Sequence, residues 1–277
     1  MPKKNRMAAS TRLHPIAAIR AIRHLWRDRE DTRQVFLLMD ALRGKTTLRQ
    51  FARFQRTDTG KAVLAERRQL LDRLSDRKCL ARLPPGTLGR SYYDFMAVEN
   101  LSAEGLVEAS QFRETLPAGH DITLFRERSR EMHDLLHVVT GYGRDPLGEA
   151  CLAAFSFAQT RLKGFAVIAT VASQRISQKH TRQAVRRAVF EGFRHGRRAA
   201  WLYAADWENL LTDPVEAIRA RHSIIPPVYY YPKVLATIRA EQAANAQPTP
   251  AAERHYWRAA WHCRPYRGQW AGVRPRA

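Results

Sequence analysis

The residues with the clearest capacity for chemistry are two histidines and two acids that lie close together in the chain. They read H-D-x-x-H from His133 to His137, and Glu149 completes the pattern H-D-x-x-H-x11-E. In a helix each residue advances by about 100°, so the two histidines lie one turn apart on one face, with Asp134 in the same arc. Neutral imidazole and carboxylate groups are ligands for zinc, iron and manganese. The pattern therefore predicts one metal ion held by His133, Asp134, His137 and Glu149.

The segments around this pattern are expected to bring Glu149 back towards His137. Residues 120–140 read as a helix that two glycines end, and Pro146 suits the first turn of the next helix. A helix, a glycine turn and a returning helix would place the glutamate opposite the second histidine.

A catalytic site is favoured over a structural zinc site, because none of the predicted ligands is a thiolate. Four protein ligands leave no room for a substrate. One carboxylate must therefore leave the metal, or the metal must expand its coordination. Glu149 and Asp134 are the candidates for a catalytic acid or base.

Two other interpretations of the pattern stay open. Two histidines four residues apart on a helix are common and usually structural. The second alternative is the histidine–aspartate dyad of metal phosphohydrolases, which needs an earlier histidine and a later aspartate. His120 and Asp145 are available for those roles, but their spacing does not suit them.

The rest of the chain predicts an all-α protein, a single domain of about eight to ten helices with flexible basic termini. Apolar positions recur at helical spacing, and strand signals are nearly absent. The predicted division is a basic N-terminus (1–12), a helical domain (13–245) and a tail rich in arginine and aromatic residues (246–277). Predicted helices cover 31–43, 48–56, 59–81, 87–98, 102–116, 120–140, 146–172, 175–195, 213–222 and 233–243, with 146–172 as the most apolar.

The charge balance indicates anionic partners. The net charge is +21 and the isoelectric point is about 10.8. Such a field attracts phospholipid surfaces, nucleic acid or acidic proteins. The excess charge is spread along the chain, and charge alone does not indicate a nucleic-acid binder. The three cysteines are far apart in the sequence, which argues against a disulfide framework and fits a reducing compartment.

The first predicted helix has an apolar stripe bordered by basic residues. Its apolar positions recur at helical spacing, and no apolar run in the chain reaches the length of about 18 residues that a membrane span needs. The helix either lies on an anionic bilayer or packs as an ordinary first helix. The stripe comprises Ile16, Ile19, Ile22, Leu25 and Trp26.

The metal pattern and three further blocks together resemble the Coq4 family of ubiquinone biosynthesis proteins. The first block runs L-P-P-G-T-L-G-R-S-Y-Y-D-F-M from Leu83 to Met96. The second is Gly196-Arg197-Arg198-Ala199, and the third is Trp207-Glu208 with a segment that ends at Pro226-Pro227. The four blocks have the order and spacing of the family, and the resemblance covers residues 15–230.

This resemblance implies a helical protein that binds zinc, or iron or another divalent metal, through His133, Asp134, His137 and Glu149. It implies a carbon–carbon lyase that removes the C1 carboxylate from a polyprenylated 4-hydroxybenzoate precursor, in some accounts with hydroxylation at that carbon. A groove for the prenyl chain is expected among Phe155, Phe157, Phe165, Val167 and Ile168, for which a core role is the alternative.

The resemblance also implies an alternative function and a location. The alternative is a scaffold without catalysis, which organises the other ubiquinone-biosynthesis enzymes and binds prenylated quinone intermediates. A homodimer is among the expected assemblies. A bacterial protein would be cytoplasmic and peripheral on the inner membrane, and a eukaryotic one would lie on the matrix face of the mitochondrial inner membrane.

Overall fold

Helices make up nearly all the regular structure in the part of the chain that the computed structural model describes, residues 13–27, 32–98, 121–177 and 182–230. Across those ranges there is no β-strand, only one isolated bridge between Thr87 and Pro214. The predicted all-α, single-domain fold is therefore confirmed. The helices are α1 (Pro15–Arg27), α2 (Thr32–Ala41), α3 (Thr46–Phe54), α4 (Asp58–Glu66), α5 (Leu70–Ser75), α6 (Arg77–Arg82), α7 (Leu88–Val98), α8 (Asp121–Thr140), α9 (Pro146–Thr160), α10 (Lys163–Ile176), α11 (Arg182–Arg198), α12 (Trp207–Leu210) and α13 (Val215–Arg221), with a 3-10 turn at Leu202–Ala204.

The described ranges contain thirteen α-helices, so the predicted eight to ten was too few. The predicted helix 59–81 is three helices. The first break is at Arg67, whose φ of 53° is left-handed. The second break is at Asp76, which precedes the third helix and whose carboxylate accepts a hydrogen bond from the Cys79 N–H. The predicted helix 146–172 is two helices, because Arg161 also adopts a left-handed conformation, with φ of 61°.

Helices α9 and α11 form the close-packed centre of the described fold. A Cβ atom on Gly192 or Gly196 would overlap the carbonyl oxygen of Cys151 or Phe155 on the facing helix. Only glycine permits this approach of two backbones. The Gln159 side chain on α9 also donates to the Gly196 carbonyl at 2.6 Å. The predicted apolar helix is therefore central, as expected from its composition.

Helix α1 packs through its small residues and not through the whole predicted stripe. Ala18 and Ala21 are buried against α2, and Ile22 and Leu25 pack partly on the same cluster. Ile16 and Ile19 lie on the outside, 68% and 52% exposed. No helix in the described ranges is long and apolar enough to cross a membrane.

Several predictions fall on residues outside the described ranges. These are the basic N-terminus 1–12, the helices predicted at 102–116 and 233–243, the tail 246–277, and His120.

Candidate metal centre

The turn between α8 and α9 places both histidines opposite Glu149. His133 and His137 lie in the last two turns of α8, and Glu149 lies in the first turn of α9. Asp145 caps α9, since its carboxylate accepts from the N–H groups of residues 147 and 148 at 3.1 and 3.2 Å. Pro146 then occupies the first helical position, where no N–H is needed. The predicted arrangement of helix, turn and returning helix is what the chain adopts.

Three of the four predicted ligands offer donor atoms that converge. The His133 and His137 Nε2 atoms are 3.3 Å apart, and they lie 3.7 and 3.5 Å from the Glu149 carboxylate oxygens. Donors of one tetrahedral zinc at the usual 2.0–2.1 Å are separated by about 3.3–3.4 Å. The separation of the two imidazoles matches this spacing and the two carboxylate distances exceed it slightly, so the three side chains can share an ion of this size after a small adjustment.

The second histidine is held in the tautomer that a metal ligand needs. Its Nδ1 lies 2.8 Å from the Tyr142 carbonyl oxygen, which can only accept a hydrogen bond, so Nδ1 carries the proton. The Nε2 lone pair then faces His133 and Glu149. The Phe95 ring on α7 stacks on the imidazole, with centroids 5.6 Å apart. This outer support is typical of metal-binding histidines.

Charge and burial prepare His137 and Glu149 for a cation, whereas His133 holds its proton more readily. Burial, together with the nearby His133, lowers the pKa of His137 to about 4, which keeps it neutral. Burial would lower the pKa of His133 as well, but the Glu149 carboxylate outweighs burial and raises it. Burial would raise the pKa of Glu149, and the nearby His133 imidazole reverses that effect, so this pKa is lowered.

The fourth predicted ligand, Asp134, does not belong to the converging group. Its side chain is buried, with 7% of the residue exposed. Burial raises the pKa of this carboxyl group, while the charges of His133 and Arg144 partly oppose the shift. Asp134 is thus an electrostatic neighbour of the site, and its role as a ligand stays a prediction.

Sequence reasoning missed two residues of the site, Arg144 and Tyr230. The Arg144 Nε atom lies 3.8 Å from the Glu149 carboxylate. The Tyr230 hydroxyl accepts from the Gly143 N–H at 2.8 Å and donates to the Asp145 carboxylate. Tyr230 lies 87 residues from Gly143 in the sequence. No local pattern signals so distant a contact.

The segment that carries Tyr230 is fixed by a buried acid on α11. Both Glu191 carboxylate oxygens accept from the Val228 N–H at 3.0 Å, and one accepts from the Tyr229 N–H at 2.8 Å. Arg219 further donates to the Val139 carbonyl near the end of α8 at 2.8 Å. The chain from 219 to 230 therefore holds the end of α8 and the turn after it.

Other predicted positions have packing or capping roles. Asp145, the acid of the phosphohydrolase alternative, caps α9 and is not in the converging group. Of the expected groove residues, Phe155 is fully buried. The others pack on core clusters or on Phe193: Phe157, Phe165, Val167 and Ile168. Arg197 and Arg198 are exposed on α11.

The blocks that resemble the Coq4 family meet around α8. In the first block, the Leu88 and Gly89 N–H groups donate to the carbonyls of Asp213 and Leu211 at 2.9 and 2.8 Å. In the third block, the Glu208 carboxylate pairs with Arg128 of α8. The Arg128–Glu208 pair anchors the helix that carries the two histidines, and the backbone hydrogen bonds join the first block to the third.

Comparisons with known proteins give the same assignment. The family model of the coenzyme Q (ubiquinone) biosynthesis protein Coq4 matches residues 15–228. The chain is 29% identical over 172 residues to the mitochondrial ubiquinone biosynthesis protein coq-4 of Neurospora crassa, covering 61% of this chain and 47% of that protein. It is 26% identical over 194 residues to the mitochondrial COQ4 homolog of Bos taurus, covering 68% and 71%.

A solved structure extends this likeness to three dimensions. The chain is similar to a crystal structure from Nostoc punctiforme, of a protein assigned to ubiquinone biosynthesis, with a TM-score of 0.57 and 26% identity. The match covers 77% of this chain and 99% of that chain. The matched span of the fungal relative is about half of its length, 47%. With the family model covering both histidines and Glu149, the chain belongs to the Coq4 family of ubiquinone biosynthesis proteins.

Proposed function

We propose that this protein is a metal-dependent decarboxylase, which removes the C1 carboxylate of a polyprenylated 4-hydroxybenzoate-type precursor. The observation that carries the proposal is the convergence of the His133, His137 and Glu149 donor atoms, with separations of 3.3–3.7 Å. That donor set fits zinc, and it also suits iron or manganese.

The reaction is balanced by a single proton. A proton adds to C1 of the ring, the bond between C1 and the carboxylate breaks, its electron pair returns to the ring, and CO₂ leaves. A bound divalent ion would supply Lewis-acid stabilisation of the phenolate or carboxylate oxygen. The protein must then hold the ring, exclude water and deliver the proton.

Asp134 is the side chain best suited to carry that proton. It is buried, its pKa is raised by burial, and it lies outside the converging donors. A carboxyl group that favours its protonated form near a reacting carbon is a suitable general acid. Glu149 is less suited while it holds the metal, because the nearby His133 imidazole outweighs the effect of burial and lowers its pKa.

The decisive experiment measures metal content and product together. The wild-type protein is expected to bind one divalent ion and to release CO₂ from a prenylated 4-hydroxybenzoate, leaving hydrogen at C1. Glu149→Ala should abolish both while the protein stays folded, and Asp134→Asn should keep the metal and lose turnover. A metal-free wild type, or no turnover with any of zinc, iron and manganese, would reject the proposal. Product with a C1 hydroxyl would reject the proton step.

The Glu149→Ala variant, expressed in cells, distinguishes the scaffold function from the decarboxylase function. If Glu149→Ala leaves the other ubiquinone enzymes assembled and the carboxylated precursor accumulates, the protein is an enzyme. If the assembly falls apart and the purified wild type shows no turnover, the scaffold function replaces the decarboxylase.

A membrane surface is the proposed location of this activity, and α1 is the proposed contact. Ile16 and Ile19 are 68% and 52% exposed, and they share one face of α1 with the exposed Arg20 and Arg23. Leu13, which precedes α1, is 42% exposed. Apolar residues flanked by arginines bind anionic bilayers through burial and charge together.

Vesicle binding tests this location. Ile16→Glu is expected to weaken binding to phosphatidylglycerol-containing vesicles by about tenfold, since it replaces buried apolar area with a charge. Leu48→Glu is the control, because Leu48 is also exposed, at 42%, but lies on α3. Equal binding by both variants would reject α1 as the contact.

A further inference from the structure

A positively charged side chain stands beside the converging donors without a fixed partner. The Arg144 Nε atom lies 3.8 Å from a Glu149 carboxylate oxygen, which is too long for a hydrogen bond. Among the residues that the structure describes, this ion pair is its one polar contact. A guanidinium group has five N–H donors, so Arg144 has donors to spare.

Arg144 lies on the open side of the site. The side chains of His133, Glu149 and Arg144 are 33%, 36% and 34% exposed, whereas that of His137 is fully buried. The first three therefore border the entrance, and His137 forms the closed end. The guanidinium therefore lies on the same solvent-exposed side of the site as His133 and Glu149.

The backbone at Arg144 is held in place on both sides. Its neighbours Gly143 and Asp145 are both hydrogen-bonded to the Tyr230 hydroxyl, and Asp145 also caps α9. The short turn cannot shift without breaking these contacts. The backbone position of the arginine is thus built into the fold, although its side chain makes only the 3.8 Å ion pair with Glu149 among the described residues.

Once a divalent metal is bound, the net charge of the site favours binding of an anion. Two neutral histidines and one glutamate carry a single negative charge, so a divalent ion leaves one positive charge uncompensated. Arg144 adds a second positive charge, and the buried Asp134 offsets at most one. The metal-bound site therefore carries a net positive charge. The N–H donors of the Arg144 guanidinium form a planar fork that matches the two oxygens of a carboxylate.

We propose that Arg144 binds the carboxylate of the substrate and so holds C1 beside the metal donors. This inference rests on the proposed decarboxylase function, because it takes the aromatic acid as the ligand. Arg144 then selects the carboxylated precursor against its decarboxylated product, which lacks the group that the guanidinium binds. Release of product follows from the same loss of contact.

The test compares two probes on the metal-loaded protein by titration calorimetry. The probes are a short-chain 3-prenyl-4-hydroxybenzoate and the matching 2-prenylphenol, which differs only by the carboxylate. Arg144→Gln is expected to weaken binding of the acid by about 10- to 100-fold, the usual worth of charge-assisted hydrogen bonds. Binding of the phenol should stay within about twofold of wild type, because the phenol has no carboxylate for Arg144 to hold.

Two further variants complete the design. Arg144→Lys keeps the charge and loses the planar fork, so its loss for the acid should be intermediate, about 3- to 10-fold. Arg197→Gln removes the same charge from an exposed position on α11 and should leave both probes unchanged. Metal content and melting temperature are recorded for every variant.

The outcomes separate this inference from the proposed function. If wild type holds no metal or leaves the acid unconverted, the proposed function fails whatever Arg144 does. If wild type does both, and Arg144→Gln and Arg144→Lys bind acid and phenol in the wild-type ratio, the Arg144 inference alone fails. A parallel loss for acid and phenol would assign Arg144 to the fold and would also overturn it.

Discussion

Helix α8 contributes to two groups of charged side chains, and they differ in how fully their polar atoms are paired. In the first group, Arg128 is 1% exposed and donates to both carboxylate oxygens of Glu208. It also donates to the Ala205 carbonyl at 3.1 Å. In the second group, the donor atoms of His133, His137 and Glu149 lie 3.3–3.7 Å from one another. Imidazole and carboxylate groups in this arrangement can bind a cation.

The difference separates a structural ion pair from a binding site. In the Arg128–Glu208 pair the two charges are matched within the protein, although the Arg128 Nε atom is buried without a hydrogen-bond partner in the described structure. The pair is closed in charge, so it can fasten α12 to α8 and needs no ligand. The second group is incomplete: its donor atoms face one another, the side chains of His133 and Glu149 border solvent, and the Arg144 guanidinium lies 3.8 Å from Glu149. Only a ligand can complete it, and this asymmetry can be tested by making the same substitution in each group.

The largest expected effect is the loss of metal by Glu149→Gln. Removing an outer partner of a metal ligand lowers affinity by about 10- to 100-fold, so neutralising a ligand should cost more than about 100-fold. Zinc and iron titrations of the purified variant measure this loss. Metal-free stability should change by less than about 1 kcal/mol, since the side chain is 36% exposed.

The matched substitution in the closed group, Glu208→Gln, should lower the free energy of unfolding and leave metal affinity unchanged. It leaves the Arg128 charge buried without a counter-charge, and breaking a buried pair in this way costs about 3–5 kcal/mol. Urea denaturation should show a loss of unfolding free energy near the lower end of that range, about 3 kcal/mol, while metal content stays at the wild-type value. If the two glutamine variants changed metal affinity equally, the division into a closed and an open group would be wrong.

The sequence predicted the open group better than the closed one. The spacing from His133 to Glu149 defines a helix, a turn and a second helix, so local periodicity was enough to bring three donors together. The partner of Arg128 lies 80 residues away, and that of Asp145 lies 85 residues away. Such pairs depend on how helices pack, which a single sequence does not specify.

Helix ends were predicted less well for a different physical reason. The breaks at Arg67 and Arg161 use left-handed backbone conformations, which glycine normally supplies. Arginine gives no such signal, so the predicted helices ran through both positions. Asp134 lies outside the converging group of three donors, and its predicted role as a fourth ligand stays a prediction.

A smaller effect on the open group is expected from Tyr230→Phe. The hydroxyl holds the turn whose Tyr142 carbonyl fixes the His137 tautomer, so its loss should weaken metal binding by about tenfold. Tyr229→Phe is the matched control, because that neighbouring side chain is 44% exposed. Equal metal affinity in the two variants would show that the turn is rigid without Tyr230.

The smallest effect concerns His195. Its polar atoms are less fully paired than those of the closed group, but it offers no converging set of donor atoms like the open group. Its residue is 4% exposed, and the Glu191 carboxylate lies 3.9 Å away. Its Nδ1 atom is buried without a partner in the described structure. Burial, with help from Arg194 and Arg198, lowers the pKa of His195 below its ordinary value of 6.5.

The sign of the pH dependence follows from this lowered pKa. Below pH 6.5 the unfolded chain binds a proton that the folded protein resists, so this histidine makes stability fall as the pH drops from about 7 to 5. His195→Gln removes that contribution, and it should reduce the loss of unfolding free energy across this range by up to about 1 kcal/mol. Urea denaturation at both pH values measures the difference. An equal or larger loss in the variant would show that the Glu191 carboxylate already compensates a protonated His195, which would place that pair with the closed group.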